Sequence, residues 1–384
     1  MKIAVLFLLS AAALLAQTSQ LGGPPCQTCA ATYISTDEFK AYVDRAIANR
    51  LIDQQVRAVD VGATNLGIGI VYRGTQASEA NIAEHDLIGE LYYILEGSAT
   101  LVLGADLVGL ERRPATSKTV RVQNGPGNNA ASMRDPVSYR LTAGDVAFIP
   151  AGTGHQFAAV DQPITYLMVR FDPDKIVPLK SAAESAADLK TTGVETPEEQ
   201  KREAVKFAHL GKDYEPSCRL CPGTHVAWSE VLAYEWRARA TGDVNQQIRA
   251  VDFGKLNVGA GISRRGRVTE PGTVVAHDRV SQVLHVIDGS ATLEVGSDLI
   301  GARPQGPDAS ADRLLNGPGR TADSIGGSAS YQLNKGDVVV IPAGTGYRFV
   351  RIDDHVTYLA VRVDPDKVTP LKSQAESQLV LATR

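Results

Sequence analysis

The chain has 384 residues, more than one domain usually spans, and is 43% hydrophobic but only 21% charged. Its formal net charge is −4, and no run of Lys or Arg stands out. That composition excludes a disordered chain and argues against nucleic acid or an anionic membrane as partner, since both want a basic patch.

The N-terminus reads as a bacterial-type signal peptide over residues 1–16. Met1-Lys2 is the positive start, Ile3–Ala16 is apolar apart from Ser10, and Gln17-Thr18-Ser19 opens a polar mature chain. The apolar run is short for a membrane span, and nothing later is apolar enough for one. The expectation is an exported protein, periplasmic or extracellular, with no membrane span after signal removal. Four cysteines follow, as Cys26-Gln-Thr-Cys29 and Cys218-Arg-Leu-Cys221. Export favours disulfides. Three arrangements stay open: each pair closed on itself, the pairs cross-linked to each other, or four thiolates on one zinc ion.

Next comes a helix, with Ser35-Thr36-Asp37-Glu38 as its N-terminal signal and Phe39, Tyr42, Val43 and Ala46 on one face. Short strands follow at Asn65–Tyr72, Leu91–Leu95, Ala99–Leu103, Asp145–Ile149 and Ile164–Val169, with Gly-rich turns between them. Such a run of strands makes a sandwich or a closed barrel. Residues 183–217 form a polar, partly helical connector rich in Lys, Glu and Ala. Then the chain repeats. Arg57-Ala-Val-Asp recurs as Arg249-Ala-Val-Asp, Asn124-Gly-Pro-Gly as Asn316-Gly-Pro-Gly, and Asp172-Pro-Asp-Lys as Asp364-Pro-Asp-Lys, each 192 positions on. The cysteine pairs keep the same offset. This is a tandem duplication, each copy one structural unit.

Two segments of the first copy resemble the paired motifs of the cupin superfamily. In Ala83-Glu84-His85-Asp86-Leu87-Ile88-Gly89-Glu90, followed by Gly97, the residues His85, Glu90 and Gly97 stand at the first motif's positions, and Ala83 replaces its leading His. Gly144, Pro150-Ala-Gly152 and His155 fit the second motif, except that Ala159 stands where an Asn often follows. The resemblance implies an all-β bicupin: two tandem double-stranded β-helix (jelly-roll) barrels, with short helices before and between them. The first barrel with its helix would span 26–182 and the second 218–384.

Residues 83 and 85 of a strand share one face. A turn brings Glu90 in on the next strand, and a third strand supplies His155. Two imidazoles and one carboxylate would take one face of a single divalent metal ion and leave the other open. Fe or Mn suits this set best; Zn and Ni are also compatible. Tyr92 and Phe157, two residues beyond Glu90 and His155, should share the interior. Tyr92 is a candidate to hydrogen-bond substrate, although filling the barrel is its favoured role. In the second copy the three ligands become His277, Gln282 and Tyr347, a degenerate set that should hold no metal tightly. Arg170 and the Asn-Gly-Pro-Gly loop persist in both copies, so they read as folding and turn residues. Two functions of different class follow. One is a metal-dependent oxygenase, decarboxylase or isomerase acting on a small oxygen-rich molecule. The other is a non-catalytic protein that binds a small ligand or is storage-like and structural. Homo-oligomers are frequent in such proteins.

Overall fold

A computed structural model describes residues 24–26, 29–75, 81–306 and 310–383. The signal-peptide reading at 1–16 lies outside the described residues. The opening helix spans Thr36–Asn49; the Ser35 side chain accepts a hydrogen bond from the Glu38 backbone N–H, and Asp37 and Glu38 lie in the first turn, where the helix dipole favours acids. Its counterpart in the second copy is Trp228–Thr241. The connector holds short helices at Ala182–Asp188 and Pro197–Lys206, each closed at its N-terminus by a reciprocal Ser/Thr–Glu capping box. Among the described residues no helix is long and apolar enough to cross a membrane.

Each copy folds into an antiparallel barrel. In the first, the long strand Gly89–Gly104 pairs with Gly154–Asp172 along most of its length, and with Val137–Thr142 and Val146–Ile149. Asn65–Arg73 joins Gly154–Asp172 to Asp53–Asp60. Two strands expected from the sequence are fused here: Leu91–Leu95 and Ala99–Leu103 are parts of one long strand. The second copy repeats this pairing, with Ser281–Gly289 between Val356–Asp364 and Val338–Ile341.

The alternation of side chains explains why these strands are apolar on both faces. Leu91, Tyr93, Val146, Phe148, Leu167 and Val169 point into an apolar core shared between the barrels. Their neighbours Tyr92, Ile94, Ala147, Ile149, Tyr166 and Met168 point into the first barrel. Val338 and Val340 join the shared core, while Val339 and Ile341 fill the second barrel. A sheet covered on both sides needs such continuous hydrophobic runs. The same period of two turns Glu90 inward, along with Tyr92.

The barrels also exchange strands. Thr32–Ile34, at the start of the first copy, pairs with Val338–Val340 of the second. Thr224–Val226, at the start of the second, pairs with Val146–Phe148 of the first. The cysteine loops sit at these crossings. Cys26 is bonded to Cys29 and Cys218 to Cys221, with Cα–Cα distances of 5.6 and 5.7 Å. Neither the cross-linked arrangement nor a four-thiolate cluster is formed. Each loop is tied to the other copy: Thr153 Oγ1 donates to the Cys221 carbonyl at 2.7 Å, and Thr345 Oγ1 to the Cys29 carbonyl at 3.0 Å. Gly152 has φ of +83°, and a Cβ there would strike the Cys218 carbonyl. Thiol titration of denatured, unreduced mature protein should therefore find no free cysteine; four would overturn this pairing.

Tyr93 and His285, equivalent residues of the two copies, meet across the shared core with ring centroids 5.0 Å apart. Burial pushes the His285 pKa down to about 4. The unfolded chain takes up this proton near pH 6.5 and the folded one near 4. His285 thus contributes no pH-dependent loss above pH 6.5, and stability falls as pH drops from 6.5 through 4. Between pH 7 and 4.5 the loss from this residue should be about 2–3 kcal/mol. Urea unfolding at the two pH values should show that His285→Phe loses less by about this amount.

Candidate metal centre

His85 ends the strand Ile82–His85, Glu90 is the second residue of Gly89–Gly104, and His155 is the second of Gly154–Asp172. The three sequence-derived candidates meet, all buried, with one ligand atom from each lying within 4.8 Å of the others. His85 Nε2 is 3.5 Å from Glu90 Oε1, and His155 Nε2 is 3.7 Å from Glu90 Oε2. Among the described residues no other cluster of three His, Cys, Asp or Glu has this geometry.

The donor set fits a divalent cation. Glu90 is 1% exposed, yet its Oε1 has no hydrogen-bond partner among the described residues. The Arg170 guanidinium faces it at 3.5 Å without a hydrogen bond, so the oxygen keeps its lone pairs for a second cation. Burial holds the pKa values of both histidines below the usual range, so both rings are neutral and each carries one N–H and one lone pair. His155 Nδ1 lies 3.3 Å from the Thr153 carbonyl, which can only accept; the ring proton therefore sits on Nδ1 and Nε2 faces the cluster as a lone pair.

Around the ligands is a polar frame. Tyr92 Oη donates to Glu90 Oε2 at 2.7 Å, so this residue does more than fill the barrel. Its ring packs against Tyr166, with centroids 4.6 Å apart, and stacks with Phe157 at 6.4 Å. Arg170 is also 1% exposed; its Nε donates to Asn124 Oδ1 at 2.7 Å and lies 3.5 Å from Glu90 Oε1. Its Nη1 donates to Gln55 Oε1 at 2.6 Å and its Nη2 to Asp53. Because Asn124 Oδ1 is engaged there, its Nδ2 faces His85 Nε2 at 3.2 Å. Asn124 is therefore part of the site's wall as well as the start of a turn. Arg113 Nη2 lies 2.6 Å from His85 Nδ1. Neither Asn124 nor Arg113 was singled out as a site residue, because both lie outside the two motifs. The comparison that finds Arg113 is the repeat itself, since its equivalent is Gln305.

A cavity of about 740 Å³ opens over the cluster, lined by His85, Glu90, His155, Tyr92 and Tyr166 among others. Its place and size suit a small-molecule site.

In the second barrel the equivalents close on themselves. His277 Nε2 is 3.1 Å from Tyr347 Oη, and Gln282 Nε2 donates to Asn316 Oδ1 at 2.9 Å. Arg362 Nε also reaches Asn316 Oδ1, at 2.8 Å. The Arg–Asn–Gln part of the frame is kept and the carboxylate is gone.

Both motifs thus lie on barrel strands, and the strand order makes two barrels in one chain. This is the bicupin fold. A family model described as an AraC-like ligand binding domain matches residues 127–197. No curated protein matches. Among solved structures, salicylate 1,2-dioxygenase from Pseudaminobacter salicylatoxidans is similar at 14% identity and TM-score 0.46, over 95% of each chain. Oxalate decarboxylase from Lactobacillus farciminis gives 12% identity and TM-score 0.35, over 82% of this chain and 86% of that one. Vicilin from Corylus avellana gives 14% and 0.34, over 80% and 76%.

The frame makes two substitutions informative. Arg170→Met would leave the Asp53 and Glu90 carboxylates without their shared guanidinium and should cost about 3–5 kcal/mol in denaturant unfolding. Tyr92→Phe removes one hydrogen bond to a charged group and should cost about 1.5–3 kcal/mol.

Proposed function

We propose that this chain is an exported bicupin that binds one divalent metal ion in its first barrel, through His85, Glu90 and His155, and acts there on a small oxygen-rich molecule. The observation that carries the reading is the buried Glu90 carboxylate set between two neutral imidazoles, with His85 Nε2 3.5 Å from Oε1 and His155 Nε2 3.7 Å from Oε2. The repeat supports it, because Glu90 and His155 are replaced together, by Gln282 and Tyr347, while Arg170, Asn124 and Gln55 return as Arg362, Asn316 and Gln247. Export rests on the N-terminal sequence alone.

Fe(II) or Mn(II) held by this set would supply Lewis acidity or dioxygen activation, with Zn and Ni also accommodated by the ligand types. The chain's own residues do the rest. Tyr92 and Arg170 fix the Glu90 carboxylate, and Thr153 fixes the His155 ring. Tyr92 and Tyr166 wall the cavity with aromatic surface, which limits water next to the cluster. A second reading, small-ligand binding without catalysis, applies to the second barrel, where the carboxylate is absent and His277 keeps a buried Nδ1 without a partner among the described residues.

The deciding experiment is elemental analysis of the exported protein, wild type beside Glu90→Gln, with the intact mass showing whether the chain starts near Gln17. Wild type should carry about one equivalent of Fe or Mn, and the variant, which copies Gln282, at least tenfold less. A metal-free wild type from metal-replete medium would remove the enzyme reading.

A further inference from the structure

The cavity over the cluster is basic in an acidic protein. Arg45, Arg50, Arg73, Arg113, Lys118 and Lys180 line it, against the carboxylates of Asp53, Glu90, Glu184 and Asp188. Several of these cations are engaged within the wall. Arg45 and Lys180 both hold Asp188, at 2.9 and 2.6 Å. Lys118 donates to the Gly193 carbonyl at 2.9 Å. Arg73 Nε donates to Tyr166 Oη at 3.2 Å, and its guanidinium lies 4.6 Å from the centre of the Phe157 ring.

Arg113 differs. It reaches the ligands themselves: Nη2 is 2.6 Å from His85 Nδ1 and 2.5 Å from the Glu84 carbonyl. Gly127 makes room for it, since a Cβ there would collide with the guanidinium. Its Nε is buried and has no partner among the described residues. A guanidinium stays charged, so this N–H is a donor waiting for an acceptor, and leaving it unmet is costly. Three arginines stand around the cluster. Arg73 and Arg170 persist in the second barrel as Arg265 and Arg362, whereas Arg113 becomes Gln305. It has been replaced together with Glu90 and His155. Arg113 thus differs between the barrels along with the ligand set, whereas the arginines built into the barrel wall persist.

We propose that Arg113 is the anchor for the carboxylate of a small organic acid that binds over the His85–Glu90–His155 cluster. The inference rests on the metal reading above for what the rest of the ligand faces. The charged guanidinium offers its unmet Nε–H to a carboxylate, and the contact to His85 puts that carboxylate beside the cluster. Ala83, next to Glu84, contributes only a methyl group to this wall, which leaves space for the ligand. The rings of Tyr92 and Tyr166 offer apolar surface that a bare inorganic anion would not use. An organic body with one carboxylate uses both.

The test is calorimetric titration of Mn(II)-loaded mature protein with benzoate, oxalate and inorganic phosphate, for wild type, Arg113→Gln and Arg113→Lys. At least one carboxylate should bind wild type more tightly than phosphate does. Its Kd should weaken at least tenfold in Arg113→Gln, which copies Gln305, with metal content measured on the same sample and affinities compared per loaded site. Arg113→Lys keeps the charge without the Nε–H and should fall between. Binding of phosphate alone, of no carboxylate, or equally by wild type and Arg113→Gln would overturn the proposal. If Arg113→Gln does not fold, as judged by circular dichroism, the Lys variant decides, and wild-type affinity in it overturns the anchor. The same titration on metal-free protein separates the two readings. Carboxylate binding lost in Arg113→Gln, in a wild type that takes up no metal, keeps the anchor and removes the metal. A loaded metal with no effect of Arg113 does the reverse.

Discussion

Arg170 carries a full charge into the first barrel with almost none of its surface in water. Burying a guanidinium costs several kcal/mol, and the cost is offset only if acceptors meet it on every side. Asp53, Gln55, Asn124 and Glu90 do so. Each is thereby fixed, and each fixes something else. Asn124 is turned so that its amide faces His85. Glu90 is held on one side by the guanidinium and on the other by Tyr92. The ligand cluster is thus the outer layer of a charge network whose centre is a structural residue.

The second barrel shows what happens when that outer layer is removed. Arg362 still reaches Asn316 and Gln247, as Arg170 reaches Asn124 and Gln55. The groups facing it have become neutral: Gln282 for Glu90 and Asn245 for Asp53. Neutral amides and a phenol then pair among themselves, and His277 is buried with its pKa pushed down to about 3. The frame therefore tolerates two interiors, one that gathers unsatisfied acceptors around a point and one that consumes them.

The barrels were legible in the strand and turn patterning and in the repeat, and the ligand triplet in its resemblance to the paired cupin motifs. A period of two places Glu90 and Tyr92 on one face, and the constant offset of 192 separates retained from replaced residues. Tyr92 was legible as an interior residue but not as the donor to Glu90, because an aromatic on an inward face usually just packs. Asn124 looked like turn chemistry since Gly and Pro follow it; only the fold brings it to His85. Arg113 lies in an irregular stretch between the motifs, where no periodicity says which way a side chain points. The exchange of strands was invisible for another reason. Thr32–Ile34 is three residues long, and its partner is some 300 positions away.

That exchange means neither copy closes its own sheet. An isolated first half would lack the strand Thr224–Val226 and expose the apolar face formed by Leu91, Tyr93, Phe148 and Val169, and an isolated second half would lack Thr32–Ile34. Conversely, the covalent link between the halves carries little of the assembly. A nick in the polar connector would leave two fragments clasped by each other's first strands, dissociating only on global unfolding. The duplicated gene thus became obligate in both parts: the half without a ligand cluster cannot be discarded, because it completes the wall on which the other half's cluster is built.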